Sequence, residues 1–433
     1  MILFYFITLC LAACFFVFSF THHLLSNLPL AFTLWISASL LYFTLLILLK
    51  KISDDRAAIR LIIISALVIR AVAFFAPAEM SKDYHRYLWD GKVGAAGINP
   101  YRYAPQDPAL MKLRTPSFYG RTGFKKLPGS YCPAAEMSFR IMYQLFGPDA
   151  QGWHAIYILV DILNVFLVLA LLSTLGISRK WAAVYALNPL VIVDLCANMH
   201  YDSMVIALLL GAVLCAARKR VLPGIVLLAL ATLMKYFAIL FLPVFLVRAA
   251  AGRHGRDWLL RTAAATALFF AVIVAFYLPY IDVGAGVFKG ILMYSNGATA
   301  TAWTPHFFVS LIFGRITTNY IAAAALVAIS LLGFKKTGPG EWLDMLFIIA
   351  AAISLLSPIQ RPWYFIWAIP FCCIRIRWPW LFLSVMSLLT YLINVEFDRL
   401  YLIKFIIYMS FYASVLLELY FRARTAGSGQ QPA

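Results

Sequence analysis

The chain has 433 residues, 63% of them hydrophobic and 12% charged, with a mean hydropathy of +0.85. Those proportions exclude a water-soluble globule and define an all-α, polytopic membrane protein. A formal charge of +18 would point to nucleic acid in a soluble chain, but many of the lysines and arginines here fall in short connections between apolar runs. There they report orientation, and no nucleic-acid partner follows.

Apolar spans run at Ile2 to Phe20, Leu30 to Leu49 and Arg60 to Pro77, each near the ~20 residues that a bilayer core requires. Leu11-Ala12-Ala13-Cys14 resembles a lipoprotein cleavage site, yet no Lys or Arg precedes it and Phe15 to Phe20 stay apolar, so a retained helix is expected. Arg70, inside the third span, is expected to hydrogen-bond within the bundle. Ala78 to Trp153 is the one long polar segment, read as an outer loop with interfacial helices; its main apolar portion, Ala134 to Phe146, is interrupted by Glu136 and Arg140. Further spans follow at Ala155 to Leu175, Trp181 to Cys196, Tyr201 to Ala217, Leu259 to Tyr280, Ile316 to Phe334, Leu343 to Ser357, Trp363 to Ile374, Pro379 to Val395 and Leu400 to Tyr420. The run Val221 to Val247 is long for one helix and short for two, and Lys235 near its middle predicts two half-crossings. Ile281 to Pro305 is a second outer loop, and Arg422 to Ala433 reads as a disordered tail.

With that run counted as two crossings, Lys50, Lys51, Arg56, Arg179, Lys180, Arg218, Lys219, Arg220, Arg248, Arg253, Arg256, Lys335, Lys336, Arg375 and Arg377 fall on one side. The positive-inside rule makes that side the cytoplasm, which gives about twelve to fourteen crossings in a single transmembrane domain, residues 1–421, followed by the tail, residues 422–433. The loop of residues 78–153 is then extracytoplasmic. Six of the seven cysteines lie in or at the ends of apolar spans; only Cys132 is in a long polar loop, where its thiol should report the outer side. No disulfide framework or metal spacing follows.

The polar segment opens with KDYHRYLWDGKVGAAGINPYRY at Lys82 to Tyr103. Asp83 and Asp90 are seven positions apart, which on a helix returns both to nearly the same face. The alternative is an interfacial helix whose acids merely face water. Elsewhere the unusual polar groups gather toward the same membrane face: Asp194, Asn198, His200 and Asp202 in DLCANMHYD, Lys235 at the tip of the broken run, and Gln360 with Arg361. His200 alone could belong to a hydrated loop, Asp202 with Lys235 could be an interhelix salt bridge, and Arg361 could snorkel. Acids beside fixed cations on one face suit a substrate with an anionic phosphate and a hydroxyl to be deprotonated.

The pieces DYHRYLWDGKVGAAGINPYRYAP (Asp83 to Pro105), YCPAAE (Tyr131 to Glu136), NPLVIVDLCANMHYD (Asn188 to Asp202), LMKYFAILFLP (Leu233 to Pro243) and SPIQRPWYFIWAIP (Ser357 to Pro370) resemble the integral-membrane glycosyltransferases of the GT-C fold. Among those, the chain is similar to bacterial polyprenyl-phosphate-mannose-dependent mannosyltransferases of glycosyltransferase family 87 and relatives. The resemblance implies a helix bundle in the plasma (inner) membrane with an extracytoplasmic site. It implies a polyprenyl-phosphate sugar donor, a lipid or glycan acceptor and inversion at the sugar, with no nucleotide sugar; no cofactor is expected, and cations such as Arg361 and Lys235 at a lipid-phosphate leaving group leave little need for a divalent metal. It assigns Asp83 as general base and Asp90 to positioning of the acceptor or loop. His200, Asp202, Lys235 and Tyr131 would line the cavity. The family's Tyr-Pro-Pro reads Tyr131-Cys132-Pro133 here, and its His before Pro-Trp-Tyr is Arg361, expected at the donor phosphate. A transporter or flippase of lipid-linked sugars, or a surface-polysaccharide assembly factor, remains the alternative from other classes.

Overall fold

The computed structural model describes residues 2–52, 56–78, 80–297, 302–335, 338, 340–394 and 400–427, and among these every regular element is helical. Lys336 and residues 428–433 of the tail lie outside the described residues. The bundle is built from α1 (Ile2–Phe20), α2 (Leu28–Lys51), α3 (Arg56–Ala73), α4 (Asp83–Ala95), α5 (Pro133–Phe146), α6 (Ala150–Thr174), α7 (Asp202–Ala217) and α8 (Val221–Met234). It continues through α9 (Gly255–Tyr277), α10 (Lys289–Gly297), α11 (Arg315–Leu332), α12 (Glu341–Leu356), α13 (Trp378–Met386) and α14 (Leu400–Gly427), with short helical turns between. α1 runs unbroken through Cys14, and α14 continues beyond Arg422 to Gly427. Helices suit a lipid solvent, because a helix satisfies its own backbone donors and acceptors.

Six helical stretches among the described residues are long and apolar enough to cross a bilayer: 2–20, 28–51, 150–174, 255–295, 315–335 and 401–424. A seventh is the pair Arg179–Ala186 and Pro189–Ala197, bent by 51°. Several of the remaining predicted spans are shorter helices; the 14 residues of α8 rise only about 21 Å, against a hydrocarbon core of ~30 Å. The run Val221 to Val247 breaks where the sequence predicts. α8 ends at Met234, Lys235 is extended (φ −153°, ψ 118°), a turn spans Tyr236–Phe241, and a new helix starts at Leu242 with Pro243 in its first turn.

Lipid tails give no hydrophobic drive for helix association, so polar pairs and close backbone approach have to specify the packing. Arg70 of α3 is fully buried and pairs with Asp161 of α6 at 2.7 Å, while its other donors reach the carbonyls of Ala66 (3.1 Å) and Ala186 (2.8 Å). The Tyr185 hydroxyl also donates to Asp161. That confirms the bundle-internal role expected for Arg70. At the site end, α4 packs along α5, and α5 packs in turn on α8. Gly91 allows the first contact: a Cβ there would lie 2.5 Å from the Phe139 carbonyl oxygen.

Candidate active site

Asp83 and Asp90 both lie on α4, as the spacing predicts, but they do different things. Seven residues return to the same face yet climb about 10.5 Å along the axis, two full turns. Asp83, at the first position of α4, is half-buried against a cavity of about 110 Å³. Asp90 is 2% exposed and takes Arg86 in an ion pair of 2.7 Å. Arg86 spends its remaining nitrogens on the carbonyls of Phe124 (3.1 Å) and Pro128 (3.0 Å). The pair therefore clamps the segment of residues 124–131 over the cavity, and that segment contributes Phe124, Leu127, Ser130 and Tyr131 to its lining. Asp90 positions the loop and does not touch the cavity.

The opposite wall comes from the break after α8. Lys235 lines the cavity and donates to Asp202 at 2.6 Å, and its ammonium lies 5.1, 5.2 and 4.7 Å from the ring centres of Tyr201, Tyr364 and Trp367. Such a cage of aromatic faces attracts and orients a cation. Asp202 begins α7, where the helix N-terminus favours negative charge, and it also accepts from the Trp367 indole at 2.6 Å. The salt bridge that the sequence left open is thus formed, and it is part of the cavity wall.

His200 is buried behind Trp363, with ring centres 3.9 Å apart, and its Nδ1 lies 3.3 Å from the Tyr87 hydroxyl. Among the described residues, its Nε2 is buried without a partner. The chain reaches this position by turning at Met199, whose φ of 57° is rare for a residue with a side chain. Earlier in the same motif, Asn188 has a different task. It caps a helix start, accepting from Leu190 N (2.9 Å) and Val191 N (3.4 Å) ahead of Pro189.

Arg361 is exposed beside the cavity without being part of its lining; it starts the turn Pro362–Ala368, whose Trp363, Tyr364 and Trp367 face His200, Lys235 and Asp202. The guanidinium hydrogen-bonds Tyr294 of α10 and lies within electrostatic reach of Asp83. Burial raises the Asp83 carboxyl above the ordinary range, opposed by Arg361 and Lys235 and reinforced by Asp202. Among the described residues, the Asp83 carboxylate makes no ion pair or hydrogen bond, in contrast to Asp202 and Asp90. One acid beside two cations is therefore free to take a proton.

Of the expected residues, Asp83, Tyr131 and Lys235 line the cavity, Asp202 and His200 stand directly behind its wall, Arg361 is at its rim, and Asp90 is held away by Arg86. Arg86, Tyr87, Tyr201, Tyr294 and Tyr364 are lining residues that the sequence reading did not single out. Arg86 could have been found, since it stands four positions before Asp90 and helical pairs of that spacing interact. Tyr294 carries no local signal. Cys132 is 2% exposed, with a thiol raised by burial despite a hydrogen bond with Tyr236, so it cannot report the side of the membrane. Among the described residues no group of three or more His, Cys, Asp or Glu is placed to share a metal ion.

The family model described as alpha-(1->6)-mannopyranosyltransferase, N-terminal domain, matches residues 14–251, which include Asp83, Tyr131, His200, Asp202 and Lys235 but not Arg361. The chain is 28% identical over 154 residues to alpha-(1->6)-mannopyranosyltransferase Rv1459c of Mycobacterium tuberculosis, covering 33% of this chain and 25% of the relative. It is 26% identical over 205 residues to alpha-(1->6)-mannopyranosyltransferase A of Corynebacterium glutamicum, covering 45% of this chain and 40% of the relative. The chain thus spans well under half the length of these curated relatives.

Proposed function

Since the chain belongs to the alpha-(1->6)-mannopyranosyltransferase family of membrane proteins, we propose that it is a mannosyltransferase using a polyprenyl-phosphate sugar donor and an extracytoplasmic lipid or glycan acceptor. Asp83 is the general base. The observation that carries this reading is its half-buried carboxylate, unpaired among the described residues, beside Lys235 and Arg361. As the acceptor oxygen bonds to the anomeric carbon, the bond from that carbon to the donor phosphate breaks and the hydroxyl proton passes to Asp83. Lys235 and Arg361 take up the charge developing on the departing phosphate. Attack opposite the leaving group inverts the anomeric centre. Family membership and the siting of Asp83, Lys235 and Arg361 together at one end of the bundle favour transfer over transport, which calls for ionisable groups near the midplane.

The test is transfer from radiolabelled polyprenyl-phosphate-mannose, by purified protein, to a lipid extract of its own host. Asp83→Asn keeps size but not basicity, so turnover should fall by about 10² to 10⁴ while donor binding is largely kept. Near-normal turnover in that variant would remove Asp83 as the base.

A further inference from the structure

α14 carries a buried cation that the chemistry above does not use. Lys404 is 8% exposed, and among the described residues its ammonium makes no ion pair or hydrogen bond. A charge so placed in a membrane helix is costly unless it meets an opposite one, and it marks a functional position by default. Helical spacing puts Tyr408 and Tyr412 on the same face of α14 as Lys404. The Tyr408 hydroxyl donates to Gln360, immediately before Arg361, and the Tyr412 hydroxyl donates to the Trp303 carbonyl at 2.9 Å. The Trp303 indole donates in turn to the Tyr401 carbonyl at 3.1 Å. α14 is thereby fastened to the turn that Arg361 starts, with Lys404 one helical turn from the Tyr408 bond and within electrostatic reach of the Arg361 guanidinium. Leu402, Phe405 and Ile406, around the same turn of α14, are exposed, so a lipid chain can lie beside the two cations.

We propose that Lys404 joins Arg361 in holding the phosphate of the prenyl donor, and that it serves chiefly the charge which that phosphate gains on departure. The inference rests on the donor reading above and extends it to α14, which lies beyond residues 14–251 that the family model matches. Two cations within reach of each other, neither in an ion pair among the described residues, suit an anion of more than one charge. A sugar-bearing phosphate diester has a single negative charge. When the bond from the anomeric carbon breaks, its electron pair stays on the phosphate oxygen, and the departing prenyl phosphate is a monoester of about −1.5 to −2 at pH 7. Arg361 alone can balance the diester; the monoester calls for a second cation. An interaction that strengthens as the bond breaks lowers the barrier, whereas one equally strong in the bound donor does not.

Calorimetric titration of the full chain in uncharged detergent tests the proposal, with farnesyl phosphate and its methyl diester as probes at about pH 7.5, where the monoester is mostly a dianion. The two share a chain and differ in charge. The wild type should bind the monoester about tenfold more tightly. Lys404→Gln should lose most of that preference while its affinity for the diester changes little. Lys404→Arg should keep the preference, which separates charge from folding. In the transfer assay, Lys404→Gln should lower kcat by a larger factor than it raises the donor KM. Equal affinity of the wild type for the two probes, an undiminished preference in Lys404→Gln, or inorganic phosphate bound as tightly as farnesyl phosphate would overturn the role of Lys404 and leave the donor reading to its own transfer assay. A wild type that binds neither prenyl probe would overturn both.

Discussion

Among single residues the deciding contrast is between Asp83 and Asp202. A carboxylate already shared between Lys235 and the Trp367 indole would have to release both to become a base, whereas Asp83 has no such partner among the described residues. Because burial raises Asp83 and only its deprotonated form accepts a proton, turnover should fall as pH drops through a value above the ordinary ~4 for aspartate. The acid limb of the rate profile measures it, and a limb at or below that value would contradict the burial argument. Arg361 is proposed to bind the donor phosphate through its planar fork, as neutral imidazole cannot. Arg361→Ala should weaken donor use strongly and Arg361→Lys should recover part of it. Arg361→His should lose activity as pH rises past about 6.5, where imidazole gives up its charge. Initial rates against donor concentration across that range decide it, and wild-type kinetics in the Ala variant would take Arg361 out of the site. These residues were legible because charged groups in apolar surroundings are rare. The rings around Lys235 were not, since Tyr201, Tyr364 and Trp367 are ordinary interfacial residues until the fold brings 201, 235 and 364–367 together.

At the scale of elements, α4 and α5 work as one unit. Gly91 brings them into contact, Arg86 and Asp90 fasten the segment of residues 124–131, and Glu136 in the first turn of α5 is buried behind that pair. Burial chiefly, and then Asp90, push its carboxyl well above the ordinary 4.5, with Arg86 and a hydrogen bond from the Tyr131 backbone opposing. The folded pKa thus exceeds the unfolded one, so the stabilising contribution is complete below about 4.5 and is lost as pH rises through the folded value. Glu136→Gln keeps the shape and cannot ionise, so its melting temperature should decline less between about pH 5 and 8 than that of the wild type. Parallel curves for the two proteins would show that Glu136 ionises equally in both states. The sequence showed Glu136 only as an interruption in a short apolar portion, because its partners, Arg86 and Asp90, lie about fifty residues away.

For the whole molecule, the class and the break at Lys235 were more legible in the residues than the number of crossings. A hydropathy window records apolar length, but the 51° bend after Ala186 and the short α8 depend on caps and contacts that it does not register. That the Asp83 end faces outside is a proposal, which the positive-inside rule favours. Cys132 cannot test it, being buried and protonated. Met111, 61% exposed in the polar segment, and Lys51, exposed at the far end of α2, offer better positions. In intact cells a membrane-impermeant maleimide should label Met111→Cys at once and Lys51→Cys only after permeabilisation, with the unsubstituted chain as the background. The donor class depends on this result. If the labelling were reversed, Asp83 would face the compartment that supplies nucleotide sugars, and an acid beside two cations could then serve a soluble sugar diphosphate as readily as a lipid phosphate. The proposed polyprenyl-phosphate donor would have lost its topological reason, even with Asp83, Lys235 and Arg361 all in place.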